Sequence, residues 1–311
     1  MNRRAVPANA AETMWHAADG WAIRRIDWQA STPPRGSLLF LPGRGDHYEK
    51  YLEMLAYYAD AGWHVTAIDW RGQGASGRLL DDPEVGHIDD FATWVADLRT
   101  FWDAWKRETP APHVVVAHSM GGQLAMRALV EKAIDPDAVA MSAPMLGIQT
   151  GGLPLGLNHA VAKLMVKLGK GNQAAWKVSE KPLSPMSMRG KMLTHDDDRY
   201  EDEVAWWALR PEVKLGPPSW HWVERAIASI RLLERPGALE AVQTPILLLA
   251  TTADQLVSTT RVIEDSKRLP NVETLIFGKE AAHELLREAD GVRDQCLKRI
   301  DAFWELHAPR P

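Results

Sequence analysis

With 311 residues, 46% of them apolar and 25% charged, the chain can bury a large core without a disulfide or metal staple. Thirty-six Lys and Arg against 41 Asp and Glu leave a net charge of −5, which excludes a general nucleic-acid binder, since that needs a basic surplus. The single cysteine, Cys296, excludes an internal disulfide and a cysteine zinc site; the absence of a signal-like stretch in residues 1–20 or of any run of about 18 apolar residues points to a cytoplasmic chain.

Short apolar runs alternate with helix-spaced segments, the pattern of βαβ units and a mostly parallel sheet. Residues 21–28 alternate as an early antiparallel strand, and 37–41 read as a buried strand ending at Pro42-Gly43. Tyr51, Leu52, Leu55 and Tyr58 put one apolar face on a helix over 48–61. A strand at 64–69 and a Gly-rich turn follow, then an amphipathic helix over 88–106, a strand at 113–117, a helix over 120–132 and a strand at 138–142. After Pro144 the rhythm breaks, and 147–233 holds no strand-like run. The alternation resumes with a strand at 245–250, a helix over 259–269, a strand at 272–277 and a closing helix over 292–305. One α/β domain is expected, its core in two parts (1–146 and 234–311), with helices on both faces of the sheet and a helical cap inserted over 147–233.

The sharpest local signal is Ala117-His118-Ser119-Met120-Gly121-Gly122, where a buried strand turns straight into a helix. Such a turn pushes a serine hydroxyl out at the top of a sheet, and small neighbours let the backbone fold that closely. A serine needs a base to take its proton, and the base needs an acid to orient it; in this setting the chain order is serine, acid, histidine. Asp254 lies just beyond the strand at 245–250, at the carboxyl edge. Asp135 and Asp137 precede a strand and lie at the wrong edge. Beyond Asp254 stand only His283, a short loop after the last strand, and His307 in the tail. The expected catalytic set is Ser119, Asp254 and His283. Oxyanion donors are expected from the Met120 amide, at the positive end of a helix, and the Arg44 amide, because Pro42 has no N–H.

Leu41-Pro42-Gly43-Arg44-Gly45-Asp46-His47-Tyr48, Asp69-Trp70-Arg71-Gly72-Gln73-Gly74-Ala75-Ser76-Gly77, the Ser119 turn, Asp254-Gln255-Leu256-Val257 and Ala282-His283-Glu284 occur in that order. Together they resemble the α/β-hydrolase superfamily, in its monoacylglycerol lipase and lysophospholipase (serine aminopeptidase-like) branch, over about residues 15–306. The resemblance implies the triad and oxyanion hole just named, a cap from about 147 to 233, and no cofactor. Pro42 stands where the branch usually has His, and Ala117 where it usually has Gly.

Other signals are weaker. Residues 72–77 fit G-x-G-x-x-G, but a loop follows rather than the helix a dinucleotide site requires. His195-Asp196-Asp197-Asp198 reads as a solvated helix start rather than a metal site. His118 reads as a wall, Cys296 as filler, and the Arg44-Gly45-Asp46 tripeptide as part of the oxyanion loop. Six of the 11 Met (Met141, Met145, Met165, Met186, Met188, Met192) and five Trp (Trp176, Trp206, Trp207, Trp220, Trp222) fall between 141 and 222, suiting a greasy, adaptable pocket. Met145, Leu146, Trp206 and Trp207 are the expected pocket residues. Residues 157–168, with Lys163, Lys167 and Lys170, read either as a solvated helix face or as one lying on an anionic membrane. The expected activity is hydrolysis of a single-acyl lipid ester, of monoacylglycerol or lysophospholipid type. The alternatives are an aminopeptidase, with Glu201, Asp202 and Glu203 available for an α-amine, and a non-catalytic binding protein on the same fold. A dehalogenase or epoxide hydrolase is disfavoured because its nucleophile is Asp.

Overall fold

A computed structural model describes residues 2–30, 34–149, 152–176 and 188–310, with the side chain of Met188 excluded. Its centre is an eight-stranded sheet: β1 (Ala10–His16), β2 (Ala22–Trp28), β3 (Gly36–Leu41), β4 (Trp63–Ile68), β5 (His113–His118), β6 (Ala138–Ser142), β7 (Ile246–Thr251) and β8 (Val272–Phe277). The spatial order is β1-β2-β4-β3-β5-β6-β7-β8. β1 and β2 form an antiparallel hairpin and β2 pairs antiparallel with β4, while every pairing from β4 to β8 is parallel. This is the α/β-hydrolase architecture that the sequence implies.

The central strands are buried on both faces, which is why they read as continuous Val, Leu and Ala runs. Their side chains alternate between two cores, as the two-residue period of a strand requires. Leu39, Leu41, Val115, Ala117, Leu248 and Ala250 enter one core with α2 (Phe91–Glu108), α3 (Met120–Val130) and α8 (Thr259–Ser266). Leu38, Phe40, Val114, Val116, Leu247 and Leu249 enter the other with α1 (Leu52–Asp60) and α9 (Asp290–His307). Trp63 and Trp304 meet edge-to-face there, with centroids 6.4 Å apart.

Between β6 and β7 the chain leaves the core for α4 (Leu155–Met165), α5 (Met188–Leu193), α6 (Asp197–Leu209) and α7 (Trp220–Leu233). α2 begins later than the apolar pattern suggests because the Asp90 side chain accepts from Ala92 N at 2.8 Å and caps it there. Asp196 caps α6 in the same way, accepting from Arg199 N at 2.8 Å. The Gly-rich turn after β4 wraps the buried Asp69, whose Oδ2 accepts from Ala75 N at 2.9 Å and from Arg24 Nε at 2.7 Å. Among the described residues no helix is long and apolar enough to cross a membrane, and no cluster of three or more His, Cys, Asp or Glu offers a metal site.

Candidate active site

β5 passes directly to α3 through Ser119, whose backbone sits at φ 51° and ψ −115°. A non-glycine residue held there costs on the order of 1–3 kcal/mol and persists only where its surroundings over-determine it. The Ser119 amide donates to the Ser142 carbonyl at 3.0 Å, and its own carbonyl accepts from Gln123 N at 3.1 Å and Met145 N at 2.9 Å. The two glycines after Met120 have no room for side chains. A Cβ on Gly121 would lie 2.3 Å from the Leu41 carbonyl oxygen and 2.5 Å from that of Pro42; one on Gly122 would lie 2.8 Å from Pro144 Cβ. Ala117 is fully buried in the core shared with α3, so its methyl is packed there.

His283 follows β8 and Asp254 follows β7, both at the carboxyl edge of the sheet. His283 Nε2 is 3.0 Å from Ser119 Oγ, and its Nδ1 is 2.7 Å from Asp254 Oδ2. Asp254 Oδ1 in turn accepts from Leu256 N at 2.8 Å and Val257 N at 2.9 Å. Burial disfavours charge on both groups. At Asp254 the His283 imidazole and these two amides outweigh it and hold the carboxyl below its usual range. At His283 the Asp254 carboxylate outweighs burial and raises the imidazole above its ordinary value. With Nδ1–H donating to the carboxylate, neutral His283 presents Nε2 as an acceptor to the serine hydroxyl. The His118 ring lies 4.8 Å from that of His283, and burial together with His283 pushes its pKa down to about 4. Its Nδ1 lies 3.1 Å from the Ser142 carbonyl. His118 is therefore a neutral wall beside the base.

The Met120 amide heads α3, among the donors that no helix can satisfy internally. The turn after β3 runs close by: a Cβ on Gly43 would lie 3.1 Å from Ser119 Cβ. Gly43 N donates to Asp46 Oδ2 at 3.1 Å, Gly45 N to Gln73 Oε1 at 2.6 Å, and Trp70 Nε1 to the Pro42 carbonyl at 2.8 Å. Arg44 is thereby held beside the serine. The sequence does not single out Asp46, Lys50 or Glu284 as site residues, yet Asp46 and Glu284 line the same cavity, with buried Lys50 behind them. The available hints were the four-residue spacing of Asp46 and Lys50 and the position of Glu284 directly after His283.

Ser119 and His283 open into a cavity of about 250 Å³, walled by Met145, Ile148, Trp176, Leu193, Trp222 and Leu256 on its apolar side. Of the four expected pocket residues, only Met145 lines it. Leu146 is fully buried in the core. Trp206 turns away, its Nε1 donating to the Arg3 carbonyl at 3.0 Å with the Arg210 guanidinium over its ring. Trp207 lies outside the cavity with Arg189 stacked 5.3 Å from its ring centre. Composition identified an aromatic-rich insertion without showing which face of α6 meets the core. Trp176, Trp222 and Met192 supply the lining instead. Met141, a residue of β6, is buried in the core, and Met186 lies outside the described residues.

A family model for serine aminopeptidases, S33, matches residues 32–290. Lysophospholipase L2 of Escherichia coli is 28% identical over 310 residues, covering 95% of this chain and 88% of its own. Monoacylglycerol lipase of Mycolicibacterium smegmatis is 30% identical over 167 residues, 53% of this chain and 57% of that protein. Among solved structures, a soluble variant of monoglyceride lipase from Saccharomyces cerevisiae, in complex with a substrate analog, superposes with a TM-score of 0.76 at 15% identity, covering 99% of each chain. A carboxyl esterase from Bacillus coagulans, in complex with glycerol, gives 0.74 at 19% identity, covering 97% of this chain and 99% of that one.

Proposed function

The chain belongs to the serine aminopeptidase S33 family, and from that premise we propose that it is a serine hydrolase cleaving the carboxylic ester of a single-acyl lipid, of lysophospholipid or monoacylglycerol type. The observation that carries this reading is the alignment of Ser119 Oγ, 3.0 Å from His283 Nε2, at the mouth of a largely apolar cavity. His283 takes the Ser119 proton as Oγ bonds to the ester carbonyl carbon. The Arg44 and Met120 amides hold the oxyanion, and His283 returns the proton to the departing alcohol as the ester bond breaks. Water then repeats the sequence on the acyl-enzyme. Asp254 fixes the imidazole tautomer and stabilises its charged form.

A cavity of about 250 Å³ falls just below the ~300–1,000 Å³ of typical ligand pockets, which favours one acyl chain over two. An aminopeptidase would need a carboxylate available to an α-amine. Instead Asp202 is gripped by Arg3 and Arg4, Glu203 by Arg189 and Lys50, and Glu201 is exposed and absent from the cavity lining. The curated relatives named above as lysophospholipase and monoacylglycerol lipase support the ester reading.

The substrate reaches the cavity from a lipid surface, on which the insertion rests as a cap. Leu153, Leu157, Val161, Leu164 and Leu168 form one stripe, each 43–60% exposed, while His159 and Ala162 on the opposite face of α4 are buried against α7. Exposed Lys163, Lys167 and Lys170 flank the stripe and suit an anionic membrane. Trp176, itself half-exposed, lines the cavity.

Fluorophosphonate labelling followed by turnover of acyl esters from two to sixteen carbons tests the reading. Labelling at Ser119 with a preference for longer chains is expected. Strict preference for acetyl groups overturns the lipid assignment, and absence of labelling overturns the catalytic one in favour of a binding protein.

A further inference from the structure

Behind one wall of the cavity lies a cluster of buried charges that the reaction just described leaves unused. Lys50 Nζ, wholly shielded from solvent, pairs with Asp46, donates to Glu284 Oε1 at 2.8 Å and lies 3.2 Å from Glu203 Oε1. Arg189 grips Glu203 through two bonds of 3.0 and 3.1 Å, and Arg287 pairs with Glu284. Three carboxylates thus meet three cations. Burial opposes the charge on Lys50 and on the three carboxylates, yet the pairing holds Asp46, Glu203 and Glu284 below the ordinary carboxyl range and Lys50 above the ordinary lysine value.

Each carboxylate belongs to a different part of the molecule. Asp46 Oδ2 accepts from Gly43 N at 3.1 Å and from the Tyr51 hydroxyl at 2.9 Å, and so shapes the turn that carries Arg44. Glu284 follows His283 in the loop after β8. Glu203 lies on α6, in the insertion. Ion pairs sealed from water are seldom more stabilising than an apolar cluster of equal volume, so stability alone does not explain six charges here.

We propose that Lys50 is a positioning residue: its ammonium ties the turn after β3, the His283 loop and α6 into one arrangement, so that the seating of the insertion and the alignment of the reacting groups are set together. This rests on the serine-hydrolase reading above.

The charges facing His283 give the test its sign. Asp254 comes from after β7, Asp46 and Lys50 from after β3, neutral His118 from β5, Glu284 and Arg287 from its own loop, and Glu203 and Arg189 from the insertion. Burial lowers the His283 pKa, and Asp254, Glu284 and Asp46 raise it. Lys50→Met leaves three carboxylates against two cations. Either the surplus negative charge raises His283, or one carboxylate takes up a proton and releases its loop until it ionises again. Both move the acidic limb of kcat/KM to higher pH, by about half a unit or more. Lys50→Arg keeps the charge and brings the limb back. Glu284→Gln leaves the cations in excess and moves the limb the opposite way.

The assay is kcat/KM on nitrophenyl butyrate across the pH range, with active sites counted by fluorophosphonate. An upward limb in Lys50→Met that Lys50→Arg reverses supports the proposal. An unmoved limb in a folded, fully labelled Lys50→Met means that Lys50 only fills space, and overturns it. Should Lys50→Met not fold, Glu284→Gln decides: a downward limb supports the proposal and an unmoved one overturns it. Wild-type protein that fails to label refutes the hydrolase reading itself, a separate outcome.

Discussion

Gly121→Ala adds a single methyl to the start of α3, and ordinary helix energetics favour it: alanine exceeds glycine by about 1 kcal/mol in a helix. The site dictates otherwise. The new Cβ would stand 2.3 and 2.5 Å from two backbone carbonyl oxygens, about 1 Å inside van der Waals contact, and neither oxygen belongs to a flexible side chain. Both oxygens, of Leu41 and Pro42, immediately precede the turn that holds Arg44. Relief therefore means pushing that turn away from Ser119. Overpacking of this kind costs about 1–3 kcal/mol, which the helix gain partly offsets, so Tm should fall by only a few degrees. Catalysis should suffer far more. Losing one oxyanion donor costs about 2.7–4 kcal/mol, a factor of roughly 10²–10³, and displacements near 1 Å cost about 10². The expected result is a loss of about a hundredfold in kcat on nitrophenyl butyrate, with fluorophosphonate still reaching Ser119. Gly291→Ala, where an added Cβ meets nothing within 4 Å, is the matched control and should keep the wild-type rate. A Gly121→Ala enzyme within about threefold of wild type would remove the turn after β3 from the mechanism.

Ser119→Ala should abolish both ester turnover and fluorophosphonate labelling while the thermal midpoint stays near that of the wild type; residual turnover would point to another nucleophile. Because Asp254 raises His283, the acidic limb of kcat/KM should fall above the unperturbed histidine value of about 6.5, and Asp254→Asn should move it down while lowering kcat by about 10⁴. The linked stability has a sign as well: His283 stabilises the fold below its unfolded pKa and loses that contribution as pH rises through the folded one, whereas Asp254 stabilises above its unfolded value and loses it on acidification, as titration of the denaturant midpoint would reveal. Replacing Leu164 and Leu168 by Asp should weaken co-sedimentation with anionic vesicles and lower the ratio of vesicle-borne to monomeric ester turnover; an unchanged ratio would mean that the stripe does not meet lipid.

The parallel half of the fold was readable because its strands are buried on both faces and appear as unbroken apolar runs. β1 was not, for the converse reason: Ala10–His16 is largely exposed and its burial follows no alternation, so its place in the sheet is decided by pairing with β2 alone. Ser119, Asp254 and His283 could be located because strand edge and chain order restrict them, and the structure brings the three within 3.0 Å of their partners. The pocket lining depends on how α6 rolls against the core. Trp206 and Trp207 are adjacent in sequence, yet one reaches the Arg3 carbonyl and the other stacks under Arg189. Residue composition carries no information about that rotation. The charged cluster was hidden for a similar reason, since Lys50 and Glu284 lie 234 positions apart.

The hydroxyl, the imidazole, its carboxylate and the Arg44 turn all hang from the ends of core strands, while everything from α4 to α7 lies in the one connection that runs from β6 to β7. An architecture divided in this way invites transplantation. A foreign lid spliced between Leu146 and Glu234 would keep the contacts that Met145 makes with Ser119, leave the three side chains in place and bring its own substrate preference. The splice carries one condition: Glu203 and Arg189 leave together, so the incoming helices must cover Lys50, Asp46 and Glu284 without adding an unpaired charge.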